Sequence, residues 1–340
     1  MLRATLFILV AVAHACSNYA MEDEYRLSGR TEDMGPITFD FGLFTRQVGD
    51  DGLVGPAKHG YVAFAAIKYS VITLNASTGI KAGLNDAGLS CDKQTLRPTT
   101  FPNRSAHVTN VDAALLCRWA LEGFGSIAEL KEGLTSVNII APVADDDFED
   151  GHYALRDASG AGVVLEFVDG IMHVYDDAND GKSGFGVMTN EPSLPWQVEG
   201  VKFLQWKLRK AEPAVTMPGS WYPDARFQRL YLVKSTMPRP ASYQEAVAQA
   251  VHVLNTVTVP MGLQIGKDAS TLTDHRTHWG VIYDHVNQIV YWRTDTNQNL
   301  QRLRLADAGL AKGQPRQQLL VRSAKLPWFA DAAAALGRSF

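Results

Sequence analysis

LFILVAVAHACS, residues 6–17, is the stretch from which the rest of the chain is read. Met1–Arg3 bring one positive side chain, and Leu6–Ala13 form an apolar run too short to span a bilayer. Ala13 and Ala15 supply the small-residue pattern at which a secretory signal peptide is cut. The expected layout is a signal peptide over residues 1–15 and one mature domain over 16–340. A cut after Ala15 leaves Cys16 first, with a thiol and a free α-amine on the same residue. An α-amine titrates near pH ~7.7–8.0, so part of it is an uncharged base at working pH. A thiol that carries its own base is the core of hydrolysis by an N-terminal nucleophile.

Other readings of Cys16 stand beside that one. A lipoprotein signal also ends directly before a cysteine, usually with a Leu-like residue three positions upstream; Ala13 and His14 hold the key places here. Lipidated at Cys16, the chain would be a non-catalytic envelope protein that binds acylated ligands. A disulfide partner and an ordinary residue of an uncleaved anchor are the remaining alternatives.

Composition narrows the class. The 340 residues are 46% hydrophobic and 20% charged, as in an ordinary globular protein. Loss of Arg3 with the signal takes the net charge from −4 to −5. Lys and Arg are scattered without a basic run, so nucleic acid is not an expected partner. No later segment approaches ~18 consecutive apolar residues, so the mature chain is expected to carry no membrane span. Cys16, Cys91 and Cys117 are too few for a disulfide-built scaffold. Cys91 and Cys117 are open to pairing in an oxidising compartment; the expectation is two buried thiols.

Short apolar runs and turn signals organise the chain. Tyr61–Ile67, Val71–Leu74 and Ile80–Asn85 read as strands, with NASTG at residues 75–79 as a turn. VDAALLCRWALE, residues 111–122, has helical periodicity with Asn110 as cap, and Ile127–Leu134 follows Ser126 as a second helix. His152–Arg156, Val163–Phe167 and Ile171–Tyr175 read as strands joined by tight turns. Helical patterns return at 201–211, 226–234 and 243–256, and strands at His278–Asp284, Ile289–Arg293 and Leu300–Leu305. Hairpin-joined strands alternating with blocks of helices predict an α+β domain of two antiparallel sheets covered by helices.

Several polar groups invite chemistry. GRTED, residues 29–33, lies where a return hairpin from Cys16 would bring it alongside. A buried Arg30 would favour a thiolate, and Asp33 would orient the α-amine. The acidic run at residues 145–150 lacks the spacing of a calcium loop and reads as solvated. His152 and His173 sit in strand-like runs without HxxxH or HExxH spacing, so no metal is expected. Ser28, Ser159 and Ser220 have no GxSxG setting. Trp196, Trp206 and Trp221 are open to an acyl pocket or to core packing.

Cys16-Ser17, GRTED, GLNDAGL at residues 83–89, HYALRDASG at 152–160, TNEPSLPWQ at 189–197, DARF at 224–227 and the run Trp279–Leu305 occur in a set order. In that order they make the chain resemble the choloylglycine hydrolase family: bile salt hydrolases and penicillin V acylases among the N-terminal-nucleophile hydrolases. The resemblance implies a four-layer αββα sandwich with no cofactor. It implies Cys16 as the catalytic thiol, with Arg30 and Asp33 beside it. Asn190 matches the side-chain donor of the oxyanion hole, and Arg226 the second active-site arginine.

Two departures accompany it. The family's backbone oxyanion donor is usually Asn or Tyr; counting along this chain places Thr95 there, or Leu96 if the loop is shifted. Asn85 reads as a turn residue ahead of Gly88. Only 36 positions separate Asn190 from Arg226, fewer than in the Gram-positive bile salt hydrolases, whose extra loop joins subunits of a tetramer. The resemblance is thus to the Gram-negative branch, which implies a periplasmic or secreted enzyme and leaves a homo-oligomer open. The expected reaction is hydrolysis of a linear amide between an apolar acyl group and a small polar amine. Penicillin V and N-acyl-homoserine lactones are the first substrates expected, and conjugated bile acids the alternative.

Overall fold

Tyr61, Val62, Ala63 and Phe64 are all buried, and their side chains divide by parity. Tyr61 and Ala63 join an apolar cluster with helical residues, whereas Val62 and Phe64 face residues of a second sheet. A strand apolar at every position is buried on both faces, so this sheet has to lie between a helical layer and another sheet. The computed structural model describes residues 16–37, 39–67, 79–142, 150–177, 184–210, 217–265 and 273–330. The signal segment expected over residues 1–15, the strand expected at Val71–Leu74, residues 75–78 of its turn and residues 145–149 of the acidic run lie outside them.

In chain order the first elements are β1 (Ser17–Ala20), β2 (Leu27–Met34), β3 (Asp40–Arg46), β4 (Asp51–Gly52), β5 (Gly55–Pro56), β6 (Tyr61–Ile67) and β7 (Ala82–Asn85). There follow β8 (Ser90–Thr95), β9 (Thr109–Asp112), α1 (Leu116–Gly123), α2 (Ile127–Leu134) and β10 (Val137–Ile140). The middle holds β11 (Gly151–Arg156), β12 (Gly162–Val168), β13 (Ile171–Asp176), β14 (Val187–Thr189), α3 (Leu194–Lys210), α4 (Pro223–Thr236) and α5 (Tyr243–Val257). The chain continues through β15 (Leu263–Ile265), β16 (Thr273–Asp284), β17 (Ile289–Thr294), β18 (Gln301–Arg304) and β19 (Gln318–Leu320).

The first sheet runs β14-β1-β2-β16-β17-β18, with β15 paired to β16; the second runs β13-β12-β11-β8-β7-β6-β3-β19. Neighbours along both orders are antiparallel. Three apolar clusters define the layers. Phe227, Leu230, Ala250 and Val253 of α4 and α5 pack on Tyr19, Leu27 and Ile282 of the first sheet. Phe64 and Leu84 meet Trp279, Val281 and Tyr283 between the sheets. Leu116, Leu121 and Leu130 of α1 and α2 cover Tyr153, Leu155 and Leu165 on the outer face of the second sheet. This is the expected four-layer αββα sandwich.

Local expectations are met at β6 and at α2, where Ser126 Oγ accepts from the Glu129 amide at 3.2 Å. The helix expected over residues 111–122 begins later. Thr109–Asp112 instead pairs in parallel with β10, and Asp112 caps the following turn by accepting from the Ala114 amide at 2.8 Å. Asn110, expected as the cap, binds the Ser105 backbone. Cys91 and Cys117 are not two thiols but a disulfide joining β8 to α1. Closing the 26-residue separation should contribute about 3.5 kcal/mol through loss of unfolded-chain entropy.

Candidate active site

Cys16 precedes β1 and is 3% exposed. Ser17 pairs with Thr31 across the β1–β2 hairpin, so carrying that register one residue further sets Cys16 opposite Glu32. The Cys16 thiol stands 4.0 Å from Glu32 Oε2 and 3.7 Å from the Asp33 carbonyl, both as acceptors. Burial foremost, then the Glu32 charge, pushes the thiol up to about 12, against a lowering by Arg30.

Strand alternation splits the surroundings of Cys16 in two. Arg30 and Glu32 lie on the side facing the second sheet. Arg30 donates through Nη1 to the Lys93 carbonyl at 3.0 Å and to the Lys81 carbonyl, and its guanidinium lies 4.9 Å from the Trp279 ring centroid. Nη2 pairs with Glu32 Oε2, a buried ion pair. Burial opposes the Arg30 charge, but Glu32, Cys16 and Asp92 outweigh it and raise its pKa above the ordinary arginine value.

Thr31 and Asp33 lie on the opposite side, beneath the helices. Thr31 Oγ1 donates to Asp33 Oδ2 at 2.8 Å and accepts from the Ser17 amide at 3.1 Å. Thr277 Oγ1 donates to Asp33 Oδ1 at 2.5 Å. Thr277 reaches that side because the β2–β16 register shifts between Thr277 and Trp279; the extra residue at a bulge re-aims its neighbours. Burial raises the Asp33 carboxyl to about 7, although Arg226 and the two threonine hydroxyls favour its charged form.

Arg226, in the first turn of α4, ties three distant segments together. Nη1 donates to the Cys16 carbonyl at 2.5 Å and Ser17 Oγ at 2.7 Å, while Nη2 donates to Asn190 Oδ1 at 2.9 Å. Burial lowers this guanidinium to about 10, with Asp33 opposing. Asn190 Nδ2 donates to the Thr95 carbonyl at 2.9 Å, which uses one of its two N–H groups. The loop carrying Asn190 is clamped by Gln197, whose Nε2 donates to the Asn190 carbonyl at 2.8 Å and the Pro192 carbonyl at 2.6 Å.

Cys16, Arg30, Asp33, Asn190 and Arg226 therefore converge; Thr95 joins them through its carbonyl, whereas its backbone N–H was the group expected there. Leu96, the alternative backbone donor, already gives its amide to the Asp150 carbonyl at 3.1 Å. Asn85 is the turn residue read from its spacing, its Oδ1 accepting from the Ala87 and Leu89 amides. Glu32, Thr31, Thr277 and Gln197 were not singled out from the sequence. The signal for Glu32 was its spacing of two from Arg30, which puts both on one strand face. Trp196 and Trp206 are neither core nor enclosed, being 72% and 49% exposed on α3. His152 is buried against Glu166, and among the described residues no group of three or more His, Cys, Asp or Glu is placed to hold a metal ion. Among the described residues, no helix is long and apolar enough to cross a membrane.

Residues 63–318 match the family model "Linear amide C-N hydrolases, choloylglycine hydrolase family". The chain belongs to that family. It is 24% identical over 206 residues to the bile salt hydrolase/transferase of Clostridium perfringens, a match covering 53% of this chain and 59% of that protein. It is 21% identical over 319 residues to the penicillin V acylase of Pectobacterium atrosepticum, covering 85% and 81% of the two chains. The solved structure of penicillin V acylase from Agrobacterium tumefaciens superposes with a TM-score of 0.71 at 20% identity, over 89% of this chain and 91% of that one. That likeness carries the fold.

Proposed function

We propose that this member of the choloylglycine hydrolase family hydrolyses linear amides through Cys16 once a cut after Ala15 frees its α-amine. The supporting observation is the single hydrogen-bonded unit in which Arg226 joins the Cys16 carbonyl to Asn190. The α-amine takes the thiol proton as Sγ attacks the substrate carbonyl carbon. The carbonyl electron pair moves onto oxygen, where the second N–H of Asn190 and a backbone N–H, assigned to Thr95, bind it. One such pre-aimed donor is worth roughly 3–4 kcal/mol. The C–N bond then breaks, the leaving amine takes the proton from the α-ammonium, and an acyl thioester remains on Cys16. Water, deprotonated by the same amine, attacks the thioester carbon; the C–S bond breaks, the carboxylic acid leaves, and Sγ takes the proton back from the α-ammonium.

The roles of Arg30 and Asp33 follow from their sides of β2. Arg30 acts on the thiol side, while Asp33, held by Thr31 and Thr277 on the other side, orients the released α-amine. Penicillin V and long-chain acyl-homoserine lactones are the leading substrates; glycine and taurine conjugates of bile acids are the second reading. Export to the periplasm or medium is part of the proposal, supported by the Cys91–Cys117 disulfide, since such bonds persist in oxidising compartments. Amine release from the three substrate classes by the mature protein tests the reading. Turnover of one class identifies the acyl group. Turnover of none, with a verified free Cys16, would contradict it and favour the ligand-binding alternative.

A further inference from the structure

Glu32 is a buried charge at the Cys16 thiol that the proposed reaction leaves unused. Its Oε2 is paired with Arg30 Nη2 and lies 4.0 Å from Cys16 Sγ, and the carboxylate charge also reaches His278 of β16. A free guanidinium beside a thiol favours the thiolate. Here the guanidinium on the thiol side is already matched by a carboxylate of its own strand. Arg226 of α4 also bears on the Cys16 charge, but its hydrogen bonds go to the Cys16 carbonyl, Ser17 and Asn190. Asp33 faces Thr31 and Thr277, and Asp92 of β8 bears on Arg30 from the second sheet.

We propose that Glu32 is a positioning residue: by occupying Arg30 it keeps the resting Cys16 a neutral thiol and reserves its proton for the α-amine. The inference rests on the reading of Cys16 as nucleophile, but its effect on the thiol can be measured without turnover. A neutral thiol is a poorer target for oxidation than a thiolate, which suits an enzyme working where disulfides form. The arrangement makes the α-amine the necessary base, because Arg30 alone no longer holds the sulfur as an anion.

Cys16 is the one unpaired cysteine, so thiol chemistry reports on it directly. Iodoacetamide alkylation of the mature protein, followed by intact mass across pH, gives its titration midpoint. Glu32→Gln should move that midpoint down by at least about one unit, raising the alkylation rate at pH 7 about tenfold. Glu32→Asp, which keeps the charge, should stay within about threefold of wild type. An unchanged midpoint in Glu32→Gln, even with a lowered melting temperature, would leave Glu32 a structural residue and overturn the proposal. If Glu32→Gln does not fold, the alkylation midpoint of Glu32→Ala decides in the same way, and an absent infrared S–H band in wild type at pH 7 would overturn the proposal outright. If alkylation leaves turnover intact, the nucleophile reading fails while the effect of Glu32 on the thiol stands or falls separately.

Discussion

The two faces of β2 do different work, though they share the eight residues Leu27–Met34. Toward the second sheet, Arg30 and Glu32 neutralise each other beside the thiol, and Arg30 donates to carbonyls of that sheet. Toward the helices, Thr31 and Asp33 form a hydrogen-bonded chain with Ser17 and Thr277, facing Arg226. Cys16 belongs to both: its side chain lies on the first face, and its carbonyl is bound from the second. A strand can serve two environments because its period is two, and a slip of one residue would exchange them. Burial is the first cause of the raised Cys16 thiol, with Glu32 and Arg30 acting from the sheet-facing side and Asp33 adding to the rise from the other.

Substitutions can break this division. The largest effect is expected where the faces meet: Cys16→Ala should abolish turnover with its melting curve preserved, and residual activity above ~1% would contradict one residue acting as nucleophile and base. On the helix-facing side, Asn190→Ala should lower kcat about 10²–10³-fold. A loss under tenfold in steady-state kinetics would remove Asn190 from the oxyanion site. Away from both faces, Cys91→Ala with Cys117→Ala should cost about 3.5 kcal/mol in urea unfolding while kcat stays within about twofold. A matching fall in kcat would show that the α1–β8 link shapes the site.

The smallest effect is a slope. Burial raises the Asp33 carboxyl from 3.8 to about 7. Between those values the folded state binds more protons at this group than the unfolded state does, so the group's contribution to stability falls as pH rises. Asp33→Asn should therefore flatten the decline in unfolding free energy between pH 4 and about 7 relative to wild type. An unaltered slope in denaturant titrations at several pH values would show that Arg226 and the threonines already hold the carboxylate at its ordinary value.

Much of the fold was legible wherever one local signal acted alone. The unbroken apolar run Tyr61–Ile67 and the Ser126 cap of α2 needed no tertiary partner to be read. Residues 111–122 misled because Val111 suits both a helix and a strand, and pairing with β10 decides between them. The Cys91–Cys117 bond was hidden because sequence spacing does not give the distance between β8 and α1. The motifs single out Arg30, Asp33, Asn190 and Arg226, but not the side chains that hold them in place. Thr277 reaches Asp33 only through a register shift, and Gln197 acts from the first turns of α3 on a loop behind it.

Intact-mass analysis of the protein expressed from its full sequence, before and during exposure to penicillin V, tests the nucleophile assignment most directly. A chain beginning at an unmodified Cys16, with a transient adduct equal to the acyl group on that residue, is the predicted result. A diacylglycerol adduct on Cys16, or an N-terminus elsewhere, would contradict the assignment of thiol and α-amine to one catalytic residue.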